Sequence, residues 1–137
     1  MWWVYALLAA FFASLTAIFA KVGITGVNSD LATAIRTIII LLLAWTIVLI
    51  RGEFKGIEFL SKTNLIFLVL SGLATGLSWI FYFKALQIGE VSKVAPLDKL
   101  SVALTIILSV IFLNETLTIK TAIGALFIIV GSLFLIF

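Results

Sequence analysis

Residues 31–50 read LATAIRTIIILLLAWTIVLI: twenty positions, apolar almost throughout, with Arg36 as the single charge. A helix rises about 1.5 Å per residue, so about 20 mostly apolar residues cross the ~30 Å hydrocarbon core of a bilayer. This run reads as a membrane span, and the rest of the chain follows outward from it. Residues 2–20 carry no charge, and neither do residues 65–83. Residues 94–113 hold Asp98 and Lys99 in their first turns, and residues 119–137 hold only Lys120. Five spans therefore use about 100 residues of 137. The expected fold is a single all-α integral membrane domain over residues 1–137, a bundle of five transmembrane helices.

The composition agrees. Hydrophobic residues make up 64% of the chain and charged residues 11%. A soluble domain runs nearer half apolar and a quarter charged, because a globule of this size still needs a polar surface. A water-soluble enzyme and a disordered chain are both excluded. The first span lacks a basic n-region and exceeds the ~7–15 residues of a signal-peptide core, so it reads as a retained span. Trp2, Trp3 and Tyr5 suit an interfacial aromatic anchor.

The links are short, which makes consecutive helices antiparallel neighbours. Residues 21–30 form a Gly/Asn/Ser turn region. Residues 51–64 form the longest link, charged with both signs and suited to a short interfacial helix. Residues 85–93 and 114–118 are tight connections. Five spans put the two ends on opposite sides. Arg51, Lys55, Lys62 and Lys120 then lie on the N-terminal side, against Lys21, Arg36, Lys84, Lys93 and Lys99 on the other. Lys/Arg asymmetry in short loops normally sets orientation. Discounting Arg36, Lys84 and Lys99 as intramembrane leaves a weak preference for an inside N-terminus, and the near balance leaves both orientations open.

Cysteine and histidine are absent. No disulfide, thiolate nucleophile, Cys/His zinc site or imidazole acid–base pair is available. Clustered carboxylates and a Gly-rich phosphate loop are missing too. The reading is therefore not an enzyme, with no cofactor and no metal. The net charge of +3 is scattered between apolar runs, so no basic stripe for nucleic acid exists.

What remains is polar chemistry inside the spans, which is costly in hydrocarbon and usually faces a bundle interior or a water-filled cavity. In the third span Ser71, Thr75, Ser78 and Tyr82 recur at steps of 4, 3 and 4, one face of a helix. In the fourth, Asp98, Ser101, Thr105 and Ser109 recur at steps of 3, 4 and 4. Two such stripes with a carboxylate suit a shared pathway; the competing reading has each hydroxyl bonding its own helix. Trp79 adds an aromatic face beside Tyr82. Arg36 is a functional candidate with Asp98 as a plausible partner, or else it snorkels, as Lys84 and Lys99 do. Pro96 fits a first helical turn, and Asp98 just after it is either a site residue or a cap favoured by the helix dipole. Gly72 and Gly76 in the third span, and Gly124 and Gly131 in the fifth, allow close helix approach within the bundle or between subunits.

Several stretches together resemble the EamA family of the drug/metabolite transporter superfamily. They are Tyr82-Phe83-Lys84-Ala85-Leu86, Gly89-Glu90-Val91-Ser92, Ala95-Pro96-Leu97 and Phe112-Leu113-Asn114-Glu115, with Lys21, Arg36, Gly124 and Gly131. The resemblance covers essentially the whole chain as one repeat. Most members carry two inverted repeats in ten helices, so this chain is similar to the short five-helix prokaryotic branch, half of that architecture. It departs at Asn114, where glycine is more usual. It also lacks the first-span acid that the related small multidrug resistance proteins use for proton coupling.

The resemblance implies a secondary transporter of the prokaryotic inner membrane, usually an exporter of small metabolites such as amino acids or drugs. Inverted repeats place a transporter's site between the repeats near the midplane, so two oppositely inserted copies would complete one. The expected partners are the lipid bilayer, a small-molecule substrate and a second copy of the chain. The expected binding residues are Arg36, Ser71, Thr75, Ser78, Trp79, Tyr82, Asp98, Ser101 and Thr105, with Asp98 as the candidate for proton coupling. The alternative is a non-transporting subunit, or a half-transporter that pairs with a different polytopic protein.

Overall fold

The computed structural model describes residues 1–136. Apart from turns and connections they are helical: α1 (Trp2–Gly23), α2 (Ser29–Ile50), a 3-10 helix (Glu53–Phe59), α3 (Lys62–Ile88), α4 (Val91–Asp98), α5 (Leu100–Leu113) and α6 (Ile119–Phe134). Contacts group the chain into two compact units, residues 19–87 and residues 1–18 with 88 onward.

Local chemistry explains most boundaries. Asn28 starts α2: its side-chain oxygen accepts hydrogen bonds from the backbone N–H of Asp30 at 2.8 Å and Leu31 at 3.2 Å. Asp30 adds a negative charge in the first turn, where the helix dipole favours it. Ser61 Oγ accepts from the Asn64 N–H at 3.1 Å and caps α3. Thr118 Oγ1 accepts from the Thr121 N–H at 3.2 Å and caps α6. The α5 C-cap is Asn114, in the left-handed region at φ 53°. Asparagine is the residue after glycine best suited to that conformation.

Four helical stretches are long and apolar enough to cross a membrane: Trp2–Gly23, Ser29–Ile50, Lys62–Ile88 and Val91–Leu113. The sixth helix, with 16 residues, spans about 24 Å and is shorter than the expected span over residues 119–137. The third runs the other way. It has 27 residues, about 40 Å, against an expected stretch of residues 65–83. Ala85, Leu86 and Gln87 are strong helix formers, so nothing stops α3 before Gly89.

The expected fourth span, residues 94–113, lies within the stretch Val91–Leu113, but its internal structure differs from the expectation. Its helix begins at Val91, with Glu90 as N-cap, and breaks at Lys99. Pro96 therefore lies inside α4, beyond its first turn, and Asp98 closes α4 instead of capping its start. A proline there has no N–H to give to the preceding turn. The backbone tightens through Lys99, whose N–H bonds the Pro96 carbonyl at 3.0 Å, and α5 then starts afresh.

In the unit of residues 19–87, the 3-10 helix folds back against the end of α2, with the Phe54 and Trp45 rings 5.9 Å apart. This is the short helix expected in the 51–64 link. In the other unit α5 packs along α6, and α4 touches both. Tight burial is sparse. Phe83 and Leu86 are the largest fully buried side chains among the described residues, and most large apolar side chains are exposed. In a bilayer that exposure is to lipid tails, which are as apolar as leucine.

Candidate functional site

The densest packing gathers where the α1–α2 turn meets the end of α3. Ala20, Ile24, Ser29, Thr33, Phe83 and Leu86 are all buried. Two side chains tie this end together. Lys21 Nζ donates to the Leu86 carbonyl at 2.6 Å, and Gln87 Nε2 donates to the Val27 carbonyl at 2.7 Å. A cation at a helix C-terminus also answers the negative end of the dipole.

Arg36 lies above this knot, two turns into α2. Its guanidinium carbon sits 4.0 Å from the centre of the Phe83 ring. The Tyr82 ring meets the Phe83 ring edge-on, with centroids 5.5 Å apart. The Arg36 Nη1 atom is buried and has no hydrogen-bond partner among the described residues. The hydroxyls around it point elsewhere: Thr33 Oγ1 donates to the Ser29 carbonyl at 2.8 Å and Thr37 Oγ1 to the Thr33 carbonyl at 2.9 Å.

The other candidates are distributed as follows. Ser71, Thr75, Ser78 and Tyr82 share one face of α3, and Trp79 stands beside them. Ser71, Thr75 and Ser78 are exposed, while Trp79 and Tyr82 are half-buried. Thr75 Oγ1 donates to the Ser71 carbonyl at 2.8 Å, the local bonding that hydroxyls adopt in apolar helices. Asp98, Ser101 and Thr105 belong to the second unit. Asp98 forms an ion pair with Lys99 at 3.3 Å, and Thr105 Oγ1 donates to the Ser101 carbonyl at 2.8 Å. Arg36 and Asp98 thus each take a different neighbour, Phe83 and Lys99. At Gly72, Gly76, Gly124 and Gly131 an added Cβ would meet nothing within 4 Å among the described residues.

Sequence reasoning missed Phe83 as the support of Arg36 and Leu86 as the acceptor for Lys21. The signal was weak: Phe83 is one of 12 phenylalanines in an apolar chain. Its spacing of four from Trp79 placed it on the same side of α3, but nothing in the spacing ties it to α2.

Four spanning-length apolar stretches, with a charged side chain held inside one of them, define a multi-pass helical membrane protein. The family model of the EamA-like transporter family matches residues 1–137, and the chain belongs to that family. It is 48% identical over 134 residues to an uncharacterized transporter in the cobO 3' region of a Sinorhizobium species, covering 98% of this chain and 95% of that protein. It is also 32% identical over 83 residues to an uncharacterized protein of Methanocaldococcus jannaschii, covering 61% of each. No solved structure matches it. The chain is a membrane transporter by family.

Proposed function

We propose that the protein is a secondary transporter of the prokaryotic inner membrane. It exports small metabolites such as amino acids or drugs and works as an antiparallel homodimer of oppositely inserted copies. The observation that carries this reading is the polar face of α3. Ser71, Thr75 and Ser78 are exposed on a helix of spanning length. Polar groups facing lipid are costly, so such a face belongs against a second copy or a water-lined path. The chain holds one repeat, and a second, inverted copy supplies the half that inverted-repeat transporters need. The nearly balanced distribution of Lys and Arg permits both insertions.

In this reading the substrate-binding residues are Arg36, Ser71, Thr75, Ser78, Trp79 and Tyr82, and also Asp98, Ser101 and Thr105. Asp98 is the carboxylate available for proton coupling. Alternating access comes from rocking one copy against the other.

The test is topology in intact cells. The chain has no cysteine, so Glu115→Cys in the exposed link before α6 is a clean reporter. An impermeant thiol reagent should label about half of the copies from outside, and the remainder after permeabilisation. All-or-none labelling removes the antiparallel homodimer. Coupling is tested separately: Asp98→Asn should abolish pH-driven transport in vesicles, and unchanged transport removes Asp98 from the mechanism.

A further inference from the structure

We infer that Arg36, braced by Phe83, is the binding group for the carboxylate of a small, monoanionic organic substrate; this rests on the transporter reading above. The argument starts from what the guanidinium has and lacks. It is carried on a membrane-spanning helix, where a charge is expensive and is kept when it is partnered or functional. Phe83 faces it at 4.0 Å and is itself 1% exposed, so the ring is locked by its own packing. A cation–π contact offsets part of the cost of desolvating the charge. It supplies no acceptor oxygen, and Nη1 remains buried without one. The neighbouring hydroxyl protons go to helix carbonyls at Ser29 and Thr33.

The arrangement therefore holds a positive charge in place on a half-buried guanidinium and leaves its Nη1 without an acceptor. A guanidinium presents its N–H groups as a planar fork that fits the two oxygens of a carboxylate. One guanidinium neutralises one negative charge. A phosphate dianion at this depth would retain a net charge in hydrocarbon, which favours a carboxylate monoanion. Half-buried Tyr82 and Trp79, on the Phe83 side of α3, offer aromatic surface for an apolar substrate body. Phe83 is a positioning residue: it acts through Arg36.

The chain contains two arginines, Arg36 and Arg51. In an Arg51→Lys variant, Arg36 is therefore the one target for phenylglyoxal, and its modification can be followed by mass spectrometry. The protein is held in nanodiscs of zwitterionic lipid. The probes are phenylacetate, its neutral amide phenylacetamide, and inorganic phosphate. At a concentration tenfold above half-protection, phenylacetate should slow modification about tenfold by simple occupancy. Phenylacetamide and phosphate should leave the rate unchanged. Phe83→Leu keeps an apolar side chain without the ring's charge distribution, and should raise the half-protecting phenylacetate concentration about threefold or more.

Equal protection by acid and amide, protection by phosphate, or no protection by any probe overturns the proposal. Unchanged half-protection in Phe83→Leu removes Phe83 from it. The Glu115→Cys labelling is independent. Dual labelling without protection leaves the antiparallel transporter standing and takes Arg36 out of its site. Protection with labelling of a single orientation keeps the Arg36 site and removes the antiparallel pair.

Discussion

The middle and the C-terminal part of α3 are built from the same kinds of residue and are treated oppositely. Near its C-terminus Phe83 and Leu86 are sealed, Leu86 completely. Toward the middle of the helix, Leu70, Leu73 and Leu77 are each more than half exposed. Hydrophobicity does not separate them, because in a bilayer an apolar side chain gains little by leaving lipid for protein. What separates them is polar tethering. Lys21 and Gln87 bind carbonyls across the packed end, and Arg36 leans on Phe83 beside it. The lesson is that in this chain directional bonds choose where apolar residues pack.

That contrast is open to direct attack. Leu86→Ala should destabilise the protein by about 2–5 kcal/mol, the range for emptying a well-packed site. Leu73→Ala, on the uncovered part of the same helix, should stay within about 0.5 kcal/mol. Unfolding of the purified protein in mixed micelles measures both. A large loss at Leu73 would mean that this face is packed against something after all. Lys21→Met keeps the length of the side chain but removes its charge and donor. It should cost about 1.5–3 kcal/mol in the same assay, the range for a hydrogen bond from a charged group. A negligible loss would return the credit for the packed end to van der Waals contact.

A fourth change sharpens the uncovered side of the comparison. Among the described residues nothing lies within 4 Å of a Cβ added at Gly124. Gly124→Leu should therefore leave helix content by circular dichroism unchanged. If a second copy closes on α6, the same change should raise the dimer dissociation constant about fivefold, or roughly 1 kcal/mol, by energy transfer between labelled copies in vesicles. The smallest effect belongs to the turn before α6. Asn114→Ala should cost about 1 kcal/mol, because the left-handed position then lacks the local hydrogen bonding an asparagine side chain offers. Asn114→Gly should lie within about 0.5 kcal/mol of the parent in thermal melts.

Reading the sequence located helices well where periodicity and composition agree. Residues 2–20 and 31–50 lie inside α1 and α2, and the short helix in the long charged link is present. It failed where one residue type has two meanings. Pro96 suits a first turn or a break in mid-helix, and the choice depends on whether Val91 to Ala95 already coil ahead of it. They do, so Asp98 ends a helix instead of beginning one. The uncharged run of the third span ends at Phe83, whereas the helix continues through good helix formers to Ile88.

The site divides in the same way. Arg36, Tyr82, Trp79 and the Ser71–Thr75–Ser78 stripe were legible, since a charge or a polar face inside an apolar run stands out by its cost alone. The brace was not. Phe83 lies 47 positions beyond Arg36, and one phenylalanine among many carries no mark of a cation–π contact. By itself, then, the sequence determined that this protein is a stack of apolar helices with a few expensive polar groups, because transfer energies depend only on composition and spacing. Which carbonyl Lys21 reaches, which ring supports Arg36 and which leucine is sealed were decided by tertiary structure alone. Those contacts join residues far apart in the chain, and their strength depends on distance and direction that no local pattern encodes.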